Sequence, residues 1–211
     1  MDKIIRGVHE FQGHPFSEKE SLFSELASGQ SPRSLFVTCS DSRVVPNLVT
    51  QTNPGELFVI RNAGNLVPKY EQDQPTSEAA TIEYAVNALK VPNIIICGHS
   101  RCGAMGGLLA LDQLDALPVV QSLLSKETAA DRVREKNPNA SAEDLLKYTI
   151  QENVLVQIEN LKTHPCVTAA IDEGRLSLHG WVYQFETGDV FIHSDRSSSF
   201  ASVRESGEAF A

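Results

Sequence analysis

No apolar run in these 211 residues is long enough to cross a bilayer, so nothing reads as a transmembrane helix. The opening run Met1-Asp2-Lys3-Ile4-Ile5-Arg6 is charged from its second residue and lacks the apolar core of an export signal. A cytoplasmic location is therefore expected. Basic residues are in the minority, 18 against 27 acidic ones, and the acidic ones are spread along the chain. Nucleic acid and anionic membrane surfaces both need a positive footprint, so neither is expected as a partner. Repeats, low-complexity tracts and linkers are missing as well. One domain over 1–211 is expected, a length sufficient for a single core. Four cysteines occur (Cys39, Cys97, Cys102, Cys166), and without an export signal they read as thiols or ligands before disulfides.

What is present is an alternation of strands and helices. Ile4, Val8 and Phe11 recur at helical spacing. Ser17, with Glu20 three residues on, predicts a capping box for a second helix whose apolar face is Leu22, Phe23 and Leu26. Residues 1–30 thus form a helical arm whose apolar faces pack on the domain's own surface or on a partner subunit. Residues 34–39, 57–61 and 93–98 are short apolar runs of buried-strand type. Pro75-Thr76 opens a crossover helix with Ala79, Ile82, Val86 and Leu89 on one face, which implies parallel strands and a right-handed connection. Ser141 caps a helix reaching about Leu161, and His164-Pro165 starts another that Gly174 ends. Glu186-Thr187-Gly188 joins two last strands in a hairpin. The expected fold is α/β: a central, mainly parallel sheet flanked by helices. Its N-terminal helices are expected to pack on a partner subunit, and its C-terminal hairpin is antiparallel.

The chemistry concentrates at two strand ends. Cys39 closes the first strand and is followed by Ser40-Asp41-Ser42-Arg43, while His99 and Cys102 follow the strand at 93–98. Ligand sites in open parallel sheets form beyond the carboxyl ends of strands, so adjacent strands would unite these three side chains. Two thiolates and an imidazole select zinc, and three protein ligands leave a fourth position open, as in catalytic sites. Gly98 and Gly103 fit the spacing of a phosphate loop, but Ala104-Met105 stands where a lysine and a hydroxyl residue are needed, which excludes that reading. Asp41 can accept a hydrogen bond from a metal-bound water or bind the metal itself. Arg43 can grip its carboxylate and keep it ionised. Zinc brings the pKa of bound water to about 7, so a hydroxide nucleophile exists at neutral pH.

These residues resemble the signature of the β-class carbonic anhydrases: Cys39-Ser40-Asp41-Ser42-Arg43 with His99-x-x-Cys102, the block from Pro54 to Asn65, Ile82-Glu83-Tyr84-Ala85-Val86, Glu152-Asn153-Val154, and His179-Gly180-Trp181-Val182-Tyr183. The resemblance spans nearly the whole chain and looks closest to bacterial and cyanobacterial members related to the plant type. It implies reversible hydration of carbon dioxide to bicarbonate, one zinc per subunit on Cys39, His99 and Cys102, and a catalytic dyad of Asp41 and Arg43. It further implies a substrate pocket of Gln30, Phe58, Tyr84 and Gly103 at a dimer interface, in a homodimer or a dimer of dimers.

One subclass of the family closes the site with the aspartate on zinc, and binds regulatory bicarbonate with a Trp, an Arg and a Tyr. Arg61 and Tyr183 match the last two, but Phe36 replaces the Trp, which favours the open form with water on zinc. Hydrolysis of carbonyl sulfide or carbon disulfide by the same zinc hydroxide is the alternative activity. A zinc-stabilised redox or interaction module is a third reading, against which stand the open fourth position and the Asp41–Arg43 pair. Arg101 could steer bicarbonate, though a surface ion pair is the expected role.

Overall fold

Strand β1 (Ser34–Cys39) is buried at all six positions, as a strand paired on both edges and covered on both faces must be. The computed structural model describes residues 1–194 and 196–204. It divides into two compact units, Met1–Ser31 and Pro32–Ala211. The first holds α1 (Asp2–Gly13), α2 (Pro15–Glu18) and α3 (Glu20–Leu26). Phe11, Phe16 and Phe23 gather there, the last two stacked at 5.4 Å. The expected capping box is absent. Ser17 lies inside α2 and donates its hydroxyl to the His14 carbonyl at 2.8 Å, while α3 starts beyond Lys19 with no side-chain cap. Pro15 explains the difference: its fixed φ starts a helical turn before Ser17 can act as a cap.

The second unit is built on one six-stranded sheet in the order β2-β1-β3-β4-β5-β6. After β1 and α4 (Pro46–Thr50) come β2 (Leu57–Asn62), α5 (Ser77–Glu83) and β3 (Asn93–His99). Then follow α6 (Gly103–Leu109), α7 (Pro118–Leu124), α8 (Ala129–Lys136), α9 (Ala142–Leu161) and α10 (Pro165–Asp172). Strands β4 (Ser177–Gln184), β5 (Asp189–Ser194) and β6 (Ser199–Ser202) close the sheet. The first four strands of the order are parallel, and β4–β5–β6 is an antiparallel meander. The expected hairpin is extended by β6, a four-residue strand too short to announce itself in the sequence.

The crossover between β2 and β3 places both beside β1 rather than beside each other. Thr76 caps α5 by accepting the Ala79 N–H. The helix then widens into a π turn at Tyr84–Ala88, marked by the bond from the Leu89 N–H to the Tyr84 carbonyl at 3.0 Å. Ser141 caps α9 through the Asp144 N–H, and Gly174 follows the end of α10, both as expected. Ile150, Val154 and Ile158, spaced by four on α9, press one stripe onto the sheet. A Cβ at Gly180 would lie 2.9 Å from Val154, so only glycine admits the helix this close. The main core lies on that face, and Phe36, Ile95 and Cys97 form a smaller cluster on the other.

Candidate metal centre

The register that pairs β1 with both β2 and β3 sets Cys39 opposite Asn62 and Thr38 opposite Cys97. Cys39 and His99 therefore leave the sheet at the same edge, and Cys102 follows one loop later. The sulfurs of Cys39 and Cys102 and a ring nitrogen of His99 all lie within 4.8 Å of one another, and all three residues are buried. His99 Nδ1 lies 2.8 Å from the Ser100 carbonyl, so it carries the proton, and Nε2 presents its lone pair to the cluster. That buried Nε2 has no hydrogen-bond partner among the described residues. An orphaned imidazole nitrogen between two thiols fits a metal ion and little else.

The backbone also favours anionic sulfur. The Cys39 thiol is held well below its ordinary value, first by the Cys102 thiol donating to it and then by the N–H groups of Gly64 and Asp41, against the effect of burial. The same bond, with burial, pushes the Cys102 thiol up, against donation from the Met105 and Ala104 N–H groups. Two sulfurs share one proton, and a metal cation would displace it. Gly64 reaches Cys39 with φ +80, and its missing Cβ leaves room for Ala104 and Met105, which a Cβ would meet at 3.1 and 3.2 Å. Buried amides on α9 hold this segment. Asn153 donates to the Gly64 carbonyl at 3.0 Å, while Gln157 and Asn160 take the Val67 N–H and carbonyl at 2.8 and 2.9 Å.

Asp41 and Arg43 form a forked pair. Arg43 Nε and Nη2 donate to the two carboxylate oxygens at 2.9 and 2.7 Å, and the Arg43 backbone N–H adds a third bond at 2.9 Å. These donors hold the Asp41 carboxyl well below the usual carboxylate range. Asp41 Oδ2 lies 4.0 Å from His99 Nε2, at the mouth of the cluster. Arg61 donates to the Cys39 carbonyl at 3.1 Å and the Asp41 carbonyl at 2.7 Å, fixing the turn that carries ligand and acid together. Arg101 pairs with Glu186 at 2.6 Å, the surface ion pair expected for it.

The remaining residues singled out in the sequence are scattered. Phe58 and Tyr84 meet with ring centroids 6.0 Å apart, and Tyr84 is half exposed at the start of the π turn. Phe58 pairs with Leu35, four positions before Cys39, which is about 13 Å along the strand. Gln30 belongs to the first unit, beyond α3. A Cβ on Gly103 would meet no described atom within 4 Å, so nothing in the described residues demands glycine there. A cleft of about 830 Å³, bordered by Leu66, Val67, Thr76, Glu127, Arg132 and Glu159, includes none of the three donors.

Residues 34–190 match the family model described as carbonic anhydrase. A carbonic anhydrase of Pseudomonas aeruginosa is 46% identical over 211 residues, covering 100% of this chain and 96% of that protein. The structure of the β-carbonic anhydrase CcaA matches with a TM-score of 0.92 and 44% identity, over 96% of this chain and 98% of that one. The chain belongs to the β-class carbonic anhydrases. A tetrameric β-carbonic anhydrase of the ascomycete Sordaria macrospora shares 28% identity at a TM-score of 0.78, over 90% of this chain and 95% of that one. No helix among the described residues is long and apolar enough to cross a membrane.

Membership in the family makes the chain a lyase, and several supports of the donor cluster are not singled out by sequence reasoning. Gly64 lies inside a block that the resemblance covers, yet its contact with Cys39 depends on a fold across strands. Asn153, Gln157 and Asn160 carry a signal in the sequence: three amides at i, i+4 and i+7 on one face of α9, among the apolar residues Ile150, Val154, Val156 and Leu161.

Proposed function

We propose that the chain hydrates carbon dioxide reversibly to bicarbonate and a proton, with one zinc ion held by Cys39, His99 and Cys102. The observation that carries this is the unpartnered, buried His99 Nε2 between two sulfurs, within 4.0 Å of a carboxylate that Arg43 keeps ionised. Soft thiolates with imidazole suit zinc, and three ligands leave a coordination position for chemistry. Bound zinc supplies a Lewis acid that makes a hydroxide nucleophile available near neutral pH.

The chain's own residues do the rest. Both Asp41 oxygens accept from Arg43, so the carboxylate is held at the mouth as an acceptor, ready to take a hydrogen bond from the attacking water and turn its lone pair outward. That double commitment supports the open form, with Asp41 off the metal. Phe36, fully buried against Trp181, fits the same form. His99 is kept in one tautomer by the Ser100 carbonyl.

Gln30, Phe58, Tyr84 and Gly103 line the substrate pocket in this reading, as parts of an interface between subunits. Phe58 lies too far down β2 to reach its own centre, which supports its service to a neighbour's. The chain then works as a cytoplasmic homodimer or a dimer of dimers, with residues 1–30 as an arm on the partner. The tetrameric Sordaria relative supports such an assembly.

The test is metal content and carbon dioxide hydration for the parent and for Asp41→Ala. Asp41→Ala should keep its zinc and lose about 10²-fold or more in rate. Zinc-replete parent without hydration activity overturns the proposal. Faster turnover of carbonyl sulfide or carbon disulfide than of carbon dioxide would move the substrate assignment and leave the centre intact.

A further inference from the structure

We propose that Glu186, in the turn between β4 and β5, is a positioning residue for the centre: it holds the 99–102 loop so that two successive carbonyls aim His99 and Arg43. The inference rests on the catalytic reading of that centre and adds a residue to it. Glu186 makes two bonds to the loop, accepting from the Ser100 hydroxyl at 2.5 Å and from Arg101 Nε at 2.6 Å. The turn reaches the loop once more, and the end of β4 adds a further bond. The Phe185 N–H donates to Ser100 Oγ at 3.2 Å, and the Ser100 N–H donates to the Tyr183 carbonyl at 2.9 Å.

What these bonds hold is strained. Arg101 adopts φ +52, a left-handed conformation at a residue with a full side chain, between His99 and Cys102 and directly before the latter. Such a conformation persists only where the surroundings impose it, and Glu186 supplies the pull on both Ser100 and Arg101. The carbonyls of these two residues have separate tasks. Ser100 O receives His99 Nδ1, which turns Nε2 to the cluster. Arg101 O accepts from Arg43 Nη2 at 3.3 Å. Arg43 also lies over the Phe185 ring, 4.3 Å from its centroid, so the turn supports the dyad from below as well. One carboxylate thus governs the aim of a metal ligand and of the arginine that orients Asp41.

An exposed ion pair contributes little to global stability. Side-chain exposures of 69% and 31% put Arg101 and Glu186 in that class. Removing Glu186 should therefore leave the fold almost untouched and disturb the centre, a combination that a structural role does not produce.

The experiment uses zinc-loaded full-length protein and three variants: Glu186→Ala, Glu186→Gln, and Thr187→Ala. Thr187 belongs to the same turn, and its hydroxyl accepts the Asp189 N–H at 3.3 Å without touching the 99–102 loop. Measured are melting temperature, zinc stoichiometry, the rate of zinc loss to excess chelator, and kcat and KM for hydration. Glu186→Ala should melt with the parent and keep one zinc. It should lose that zinc about 10-fold faster, with kcat down about 10-fold and KM unchanged, the scale for groups that support a ligand from behind. Glu186→Gln keeps an acceptor of the same shape and should fall between; if Glu186→Ala does not fold, it decides by the same readouts. Zinc release and kcat at parent values in Glu186→Ala overturn the proposal, and so do equal losses in Thr187→Ala. Should the parent fail to hydrate carbon dioxide, the catalytic reading falls, while the zinc-release rates still decide whether Glu186 positions the metal ligand.

Discussion

Cys39 and Cys97 lie one register step apart on neighbouring strands, and their thiols behave in opposite ways. Cys97 faces the small apolar cluster with Phe36 and Ile95, and burial pushes its thiol up to about 12. Cys39 is almost as buried, on the other face and at the strand's end, yet its thiol is held well below the ordinary value. Burial alone makes a thiol inert. What separates the two is the supply of donors where the chain leaves the sheet: a second thiol and two backbone N–H groups converge on Cys39. The end of a parallel strand offers such donors because its backbone is no longer committed to a ladder.

The largest effect follows from removing these two sulfurs in turn. Cys39→Ala should abolish zinc retention and reduce hydration to the uncatalysed rate, because two ligands do not hold the ion and its charge is lost with it. Cys97→Ala should keep a full zinc content and near-parent activity, at a cost of about 1–2 kcal/mol in stability for the vacated core volume. Metal analysis beside urea denaturation separates the two. A Cys97→Ala variant depleted of zinc would break the comparison.

The same division governs what can be read in the linear sequence. Strands β1 and β3 are uninterrupted apolar runs because both their faces are covered, and Cys39, His99 and Cys102 stand out as donors where those runs stop. Asp41–Arg43 is legible because its partners are two residues apart. The π turn at Tyr84–Ala88 is not, since nothing in Tyr-Ala-Val-Asn-Ala selects an i→i+5 bond over an i→i+4 bond locally. Glu186 meets Ser100 across 86 positions, and in the sequence it looks like an ordinary hairpin residue. Ser17 is the reverse case: the local capping signal is present, but Pro15 starts the helical turn first.

A smaller effect tests whether the donors at the strand end, more than depth, set the chemistry of Cys39. Gly64→Ala must force φ +80 on a residue with a Cβ and press that Cβ against Ala104 and Met105. A loss of about 1–2 kcal/mol is expected from the conformation alone. Because the Gly64 N–H points at the sulfur, zinc should also leave the variant faster in a chelator assay. Gly103→Ala is the control for stability, since its Cβ meets nothing within 4 Å. Equal melting temperatures for the two variants would count against the packing described around Gly64.

The smallest effect carries the comparison over to carboxyl groups. Asp41 is pulled down by the donors of Arg43, whereas Glu127, bordering the 830 Å³ cleft, is pushed up by burial, against a bond from Gln157 at 2.9 Å. A depressed carboxyl contributes stability above its unfolded pKa of about 4, and that contribution is lost as pH falls through the folded value. A raised one has the opposite sign: stability is fully present below the unfolded value of about 4.3 and is lost as pH rises through the folded value. Glu127→Gln removes the charge and keeps an acceptor for Gln157. Its melting temperature should match the parent's near pH 4 and exceed it near pH 7.5, by an amount on the order of a few degrees or less. Asp41→Asn should do the reverse, losing most against the parent near pH 7.5 and least in acid. An advantage for Glu127→Gln that is constant across pH would mean that shape, not charge, makes the difference, and the parallel with Cys97 would not extend to Glu127.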